Sequence, residues 1–311
     1  MDLRERGVMA EATAVSERSG TSDPFEQYRQ LMFGISYRML GTVVDAEDVV
    51  QETWLRWQRV DRDGVGDPRG YLVRAVTRTA IDQMRRSRAR REEYVGPWLP
   101  EPLLVSSDVA MESSMLGESL SMAVLVMMET LSPLERAVFV LHEVFGFSFP
   151  EVAEAVDRTE PAVRQLGSRA RRHVRLRQRR FEPDRRQARE ITERFLAACL
   201  DGDMESLMAV LAPDVTMWAD GNGHAETPRV PLHGAAAIAE YFVSTAGRYP
   251  AELTVLMRQQ HDGAPAAVLT TPAGVFAVVT ADIDVLDGHP RITAVRAVRN
   301  PEKLGRVQAG D

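Results

Sequence analysis

Apolar positions along this chain of 311 residues recur with helical spacing through its first two thirds and with strand spacing near its end. Thr42 can cap a helix running through DAEDVVQETWLRW, where Ala46, Val49, Val50, Trp54 and Trp57 form one apolar stripe. A loop rich in Asp and Gly, Val60 to Pro68, leads to a second helix from Tyr71 to about Arg86. Its buried face is Leu72, Ala75, Val76, Ala80 and Met84, and Arg78 is placed to pair with Asp82 four residues on. Helices resume from about Met115 to Glu129. Ser132 and Glu135 then make a capping box with Pro133 at the first helical position. That helix carries Val138, Leu141 and Phe145 and stops at Gly146.

Ser148 and Glu151 repeat the capping box and open a short helix whose apolar face is Val152, Ala153 and Val156. Asp157-Arg158-Thr159 forms a turn, and Pro161 sits in the first turn of the next helix. There Val163, Leu166, Gly167, Ala170 and Val174 share one face, while Gln165, Ser168, Arg169 and Arg172 share the other, flanked by Arg164 and Arg171. This is a helix-turn-helix pattern. Its second helix offers the groups that read bases in a major groove: Arg for guanine or phosphate, Gln for adenine, Ser for either. The competing reading is a surface helix whose arginines are solvated.

Beyond Arg180 the pattern changes. A helix from about Asp184 to Leu200 buries Ala188, Ile191, Phe195 and Cys199, and a short helix ends before Pro213. Five strand-like runs follow: Val215 to Ala219, Leu253 to Gln259, Ala266 to Thr271, Val275 to Ile283 and Ile292 to Val298. Asp287-Gly288 is a hairpin signal between the last two. Helices followed by a run of strands predict an α+β domain.

A net charge of -7 is unlike that of a simple basic nucleic-acid binder, but arginines cluster at Arg85 to Arg91 and at Arg164 to Arg189. Lys303 is the only lysine. A single cysteine, Cys199, excludes an intramolecular disulfide and a Cys-based zinc site. No apolar run reaches membrane-spanning length. Residues 1–22 have no signal-peptide core and read as a flexible extension of a cytoplasmic protein, with no membrane partner and no cofactor.

The order of these pieces resembles an extracytoplasmic-function sigma factor of bacterial RNA polymerase. DAEDVVQETWLRW with PRGYLVRAVTRTAIDQMRR is similar to sigma domain two. LSPLERAVFVLHEVFGFSFPEVAEAVDRTEPAVRQLGSRARR is similar to sigma domain four. The remainder looks like the subgroup carrying a fused SnoaL-like domain, a cone-shaped α+β fold of the nuclear-transport-factor-two type. WLPEPL, Trp98, Leu99, Pro100, Glu101, Pro102 and Leu103, matches that subgroup's interdomain motif. Asn300, Pro301, Glu302, Lys303 and Leu304 match its NPDKL-like motif. Its DGGGK-like segment departs here, with His224 in place of the lysine after Asp220, Gly221, Asn222 and Gly223. Asp157 replaces the usual turn glycine, which an Asp can do because it tolerates a left-handed conformation.

The resemblance implies five segments: an N-terminal extension at 1–22, sigma domain two at 23–91, a linker at 92–114, sigma domain four at 115–180 and a SnoaL-like domain at 181–311. The implied fold is multidomain, two all-α sigma domains followed by an α+β cone. The implied partners are core RNA polymerase and promoter DNA. Polymerase would be gripped by Asp45, Asp48, Val49, Gln51, Glu52 and Leu55. The minus-ten element would be read by the loop Asp61 to Pro68 and by Tyr71, Arg74, Arg78, Asp82, Arg85 and Arg86, although Tyr71 has a core reading too. Arg164, Gln165, Ser168, Arg169 and Arg172 would enter the minus-thirty-five groove, with Arg171 and Arg175 on phosphate. The C-terminal domain would act in cis by packing on the sigma domains through WLPEPL and Asn300 to Leu304. Trp218, Asp220, His224, His233 and Asp282 are candidates for lining a small-molecule pocket in it. Two alternatives remain open: a ligand-sensing DNA-binding regulator, and a SnoaL-type isomerase or cyclase.

Overall fold

The structure, a computed structural model, describes residues 23–91, 93–104, 121–175, 184–224, 226–260 and 264–307. The expectations for the N-terminal extension, for the linker beyond Leu104 and for a helix start near Met115 lie outside the described residues.

Three helices form the first unit: α1 (Pro24–Leu40), α2 (Val43–Trp57) and α3 (Pro68–Arg91). Thr42 caps α2 as its sequence requires, accepting from the Asp45 backbone amide. Helix α3 is longer at both ends than its apolar stripe suggests. Pro68 opens it because a first-turn residue needs no amide donor.

The second unit contains α4 (Met122–Met128), α5 (Pro133–Phe139), α6 (Phe149–Val156) and α7 (Glu160–Arg175). Both expected capping boxes are present, at Ser132 with Glu135 and at Ser148 with Glu151. Between α5 and α6 the chain makes one π-helical turn, Val140–Val144, which ends before Gly146. Asp157 adopts φ 55°, so it does take the left-handed turn position. A continuous apolar core joins the two units, running from Met32 and Leu72 in the first to Val138, Val152 and Val163 in the second. Full burial of such a side chain contributes about 1.5–3 kcal/mol, so the two units are held together by more than surface contacts.

The third unit is α+β. Helices α8 (Arg185–Asp201), α9 (Met204–Val210) and α10 (Ala235–Thr245) pack on a sheet of six strands. These are β1 (Leu211–Asp220), β2 (Leu232–His233), β3 (Thr254–Gln259), β4 (Pro265–Thr271), β5 (Gly274–Leu286) and β6 (His289–Val298). Their order is β2-β1-β6-β5-β4-β3, with β1 and β6 parallel and the other neighbours antiparallel. Asp287 and Gly288, both at positive φ, make the expected two-residue hairpin turn between β5 and β6. Helix α10 has no counterpart in the sequence reading; its AAAIAEYFVST stretch is apolar nearly all round and lacks a side-chain cap.

The strand period of two divides the sheet into faces. Met217, Ala219, Val279, Val295 and Ala297 turn toward the helices. Val268, Val278 and Val298 turn to the opposite face, where they pack with Leu99 of the linker and Leu304 of the C-terminal segment. Val126 of α4 joins this second cluster. The linker and the chain end are therefore the cover that the outer face of the sheet needs.

Candidate nucleic-acid and polymerase interface

In α7 the division of faces follows the sequence. Val163, Ala170 and Val174 are buried, and Gly167 lets the helix come close to α5, since a Cβ there would sit 3.4 Å from Val138. Gln165, Ser168, Arg169 and Arg172 are exposed on the other side. Arg164 is partly occupied, donating to Glu160 at 2.5 Å and stacking 4.3 Å from the Phe149 ring. Arg171 pairs with Glu143 at 3.4 Å. The Arg175 side chain lies outside the described residues.

The basic side of α3 faces the second unit. Arg74 pairs with Glu154 at 3.2 Å. Arg78 donates to the carbonyls of Glu154 and Ala155 at 3.0 and 3.3 Å. These carbonyls end α6, where unpaired oxygens concentrate partial negative charge and attract a guanidinium. The expected Arg78–Asp82 pair is thus not formed; Arg85 takes Asp82 instead, at 3.2 Å. Arg86 Nε also donates to the Asp82 carbonyl, at 3.4 Å. Tyr71 is half-buried with its ring 5.5 Å from Trp57, so it belongs to the core side.

On α2, Asp48, Gln51 and Leu55 are exposed, while Asp45 accepts from Thr42 and from Gln83 and Glu52 pairs with Arg56. Val49 departs from the expected contact set. It is only 2 % exposed because it lies on the apolar stripe of α2 that faces the core. The neighbouring Glu47 is engaged by the chain end, with Arg306 Nη2 2.7 Å from its carboxylate. This hydrogen bond holds the Glu47 carboxyl below its ordinary range, against the opposing effect of partial burial.

Between the units lies a buried polar junction. Asp220, at the end of β1, is 0 % exposed and accepts from Lys303 Nζ at 2.7 Å and from the Leu99 amide at 2.8 Å. Its second oxygen accepts from the Tyr94 hydroxyl at 2.5 Å, and Asn300 Nδ2 donates to that hydroxyl at 2.9 Å. Lys303 also donates to the Leu99 carbonyl and lies 4.2 Å from the centre of the Trp98 ring. Burial, then the bond to Asp220, push the Tyr94 hydroxyl well above its ordinary range.

The same linker grips the first unit. Glu101 accepts from the Val43 amide at 2.7 Å, its own amide donates to the Gly41 carbonyl, and its carbonyl accepts from the Tyr37 hydroxyl. Gly41 has φ 83°, and a Cβ there would come within 2.5 Å of the Trp98 ring. Only glycine fits a left-handed turn under that ring. Leu104 pairs with Gln260 beyond β3, so the linker touches both units in succession.

Residues 24–90 match the model of sigma-70 region 2, and residues 121–174 match that of sigma-70 region 4. The chain is 37% identical over 297 residues to the ECF RNA polymerase sigma factor SigJ of Mycobacterium tuberculosis, covering 90% of this chain and 92% of that protein. It belongs to the extracytoplasmic-function family of RNA polymerase sigma factors. The crystal structure of M. tuberculosis SigJ resembles this structure with a TM-score of 0.69 and 32% identity, over 90% of this chain and 97% of that one. A probable ECF sigma factor of the same species, SigI, is 28% identical over 95% of this chain and 98% of its own length.

In this sigma factor the match to SigJ extends through the C-terminal α+β domain, whose expected pocket residues do not converge. Trp218 and Asp282 lie on the outer face of the sheet, where Arg296 pairs with Asp282 at 2.7 Å and stacks 5.5 Å from Trp218. Asp220 belongs to the junction. His224 is exposed in the turn after β1, and His233 is exposed on the edge strand, 3.2 Å from the Thr216 hydroxyl. The strand period explains the miss: residues that alternate with the helix-facing set turn away from the cone. Tyr94, Gly41, Glu154 and Arg306 are contributors that sequence reasoning did not single out. An aromatic four residues before Trp98 was the one available signal for Tyr94. Among the described residues no His, Cys, Asp and Glu group could hold a metal ion, and no helix is long and apolar enough to cross a membrane.

Proposed function

We propose that α7 reads the minus-thirty-five element, that α3 reads the minus-ten element, and that the C-terminal domain controls both in cis by holding the sigma domains closed. Elements about 25 base pairs apart span roughly 85 Å of duplex at 3.4 Å per base pair. Helices α3 and α6 touch through Arg74 and Glu154 at 3.2 Å, and α7 follows α6 after one turn. A closed chain of this kind cannot engage both elements at once, so initiation requires the two sigma domains to part.

The observation that carries the regulatory half is the bridging path of the linker. Leu99 is tied to Asp220 and Lys303, and Glu101, two residues on, is tied to Val43 and Tyr37. Arg306 adds a contact to α2, the acidic helix assigned to the polymerase. Acidic α2 suits a basic partner surface, and Arg306 removes part of that charge. Removing the C-terminal domain frees the linker and Glu47 together.

The test is transcription in vitro with bacterial core polymerase and a promoter library, comparing the full chain with a chain ending after residue 180. Promoter-specific transcripts whose level changes between the two forms support the reading. Equal transcription from both forms eliminates control in cis. Catalysis is the weaker alternative, since Asp220, His224, His233 and Asp282 face different surroundings and do not form an acid-base pair.

A further inference from the structure

Arg164 is set apart from Arg169, Arg171 and Arg172 of α7 by how it is held. Its Nε and Nη2 both donate to one carboxylate oxygen of Glu160, at 2.9 and 2.5 Å. Its guanidinium also lies over the Phe149 ring, 4.3 Å from the centre. The His142 ring stacks on that same ring, with 4.0 Å between centres and 29° between planes. Two groups this close to one ring centre cannot share a face, so Phe149 is clasped between His142 and Arg164. The clasp is anchored in turn, because His142 Nδ1 donates to the Phe147 carbonyl at 2.7 Å. Held by one edge and one face, the Arg164 guanidinium is fixed in direction although its side chain is 57% exposed.

What stays open is the far end of the fork. Glu160 takes the hydrogen on Nε and one on Nη2. The Nη1 hydrogens and the second on Nη2 remain, and one from each nitrogen points outward in parallel. In the major groove only guanine offers two adjacent acceptors, O6 and N7. Adenine and cytosine present a donor there, and thymine a single acceptor. Phosphate also accepts a fork, but Glu160 offsets the charge that a phosphate seeks and leaves the hydrogen-bonding geometry intact. Arg164 lies one turn into α7, in the N-terminal part of the helix that reaches base edges in this kind of motif. We infer that Arg164 reads a guanine of the minus-thirty-five element, and that Glu160 and Phe149 are the positioning residues that aim it. The inference rests on the assignment of α7 to that element.

The two supports act differently. A long side chain that is already ordered loses less freedom on binding, so a held guanidinium discriminates between bases better than a solvated one. Losing the Phe149 ring frees the guanidinium without changing any charge. Losing Glu160 also frees it, and in addition removes a negative charge from a surface that faces phosphates. Binding to unrelated DNA should then rise while discrimination falls. A residue that only supported the fold would weaken every sequence alike.

Holoenzyme assembled from core polymerase and the full chain, bound to promoters randomised across the minus-thirty-five element, tests this. Wild type should prefer guanine, on either strand, at one position or more. Arg164→Ala should erase one such preference, a loss of about fivefold to 150-fold, and leave the others. Phe149→Leu and Glu160→Ala should each reduce the same preference about twofold to tenfold. Phe149→Tyr, which keeps the ring face, should retain it. Only Glu160→Ala should also raise binding to an unrelated duplex. Thermal melting checks that each variant folds. An Arg164→Ala variant that keeps every base preference, loses one for another base, or weakens all sequences equally overturns the guanine assignment. Undiminished discrimination in folded Phe149→Leu and Glu160→Ala overturns the positioning roles. A change with Arg169→Ala but none with Arg164→Ala sinks this inference alone. No change with either means that α7 does not read the element, and the reading above fails with this one.

Discussion

Lys303 Nζ lies 2.7 Å from the Asp220 carboxylate, with the two side chains 6% and 0% exposed. The pair joins the end of β1 to the C-terminal segment and holds the linker between them through Leu99. Isolated buried charges are unfavourable, so loss of one partner should be severe, about 3–5 kcal/mol. Lys303→Met should show this loss in urea unfolding of the C-terminal domain. The double variant Asp220→Asn with Lys303→Met should recover much of it, because no charge is then left unpaired. A double variant as unstable as the sum of the two single ones would mean that the pair has no mutual coupling.

Arg306 and Glu47 make the opposite case. Both side chains are about half exposed, so their ion pair at 2.7 Å should add no more than about 1 kcal/mol to stability. Its importance is positional. Arg306→Ala should leave the melting temperature almost unchanged and tighten binding to core polymerase, read by titration of labelled core. Because the pair is solvent-accessible, raising the salt concentration should shrink the difference between variant and wild type.

Arg169 is exposed on α7, away from the buried face of Val163, Ala170 and Val174, so Arg169→Ala should fold like wild type. In a promoter-binding assay it should lose about 1–3 kcal/mol for the preferred minus-thirty-five sequence and discriminate less at one base position. Arg171→Ala is the contrast. A phosphate contact should weaken all sequences about equally and reduce the salt dependence of binding. Equal discrimination by Arg169→Ala and wild type would remove Arg169 from the base-reading set.

The helical units were legible because their signals are local. Thr42, Ser132 and Ser148 each cap within three or four residues, and the α7 faces follow from spacing alone. The linker motif was legible through resemblance, and its anchors Trp98 and Leu99 do pack between units. Partners of Arg74 and Arg78 were not, because Glu154 is distant in sequence and only the folded contact brings it there. The pocket failed for a different reason. Trp218 and Asp282 carry the chemistry of a pocket residue, yet a strand's alternation, not the polarity of a side chain, decides which face receives it.

Glu101 should make the docking of the linker pH-dependent. Burial lifts its carboxyl above the ordinary range, and the Val43 amide, which favours the anion, offsets that only in part. A folded-state pKa above the unfolded one means that the folded chain binds the proton more tightly. Stability from this group is therefore fully present below the unfolded value, near 4.3, and is lost as pH rises through the folded value. Glu101→Gln keeps an oxygen for the Val43 amide and removes the titration. At pH 7 the variant should be at least as stable as wild type in urea unfolding. On lowering the pH toward about 4.3, wild type should gain on it. Carboxylates remote from Glu101 cancel in the difference, whereas the negative charge of Glu47 adds to the upward shift of Glu101 and is part of the effect being read. A variant clearly less stable than wild type at pH 7 would show that the ionised carboxylate strengthens the docked linker, opposite to the expected sign.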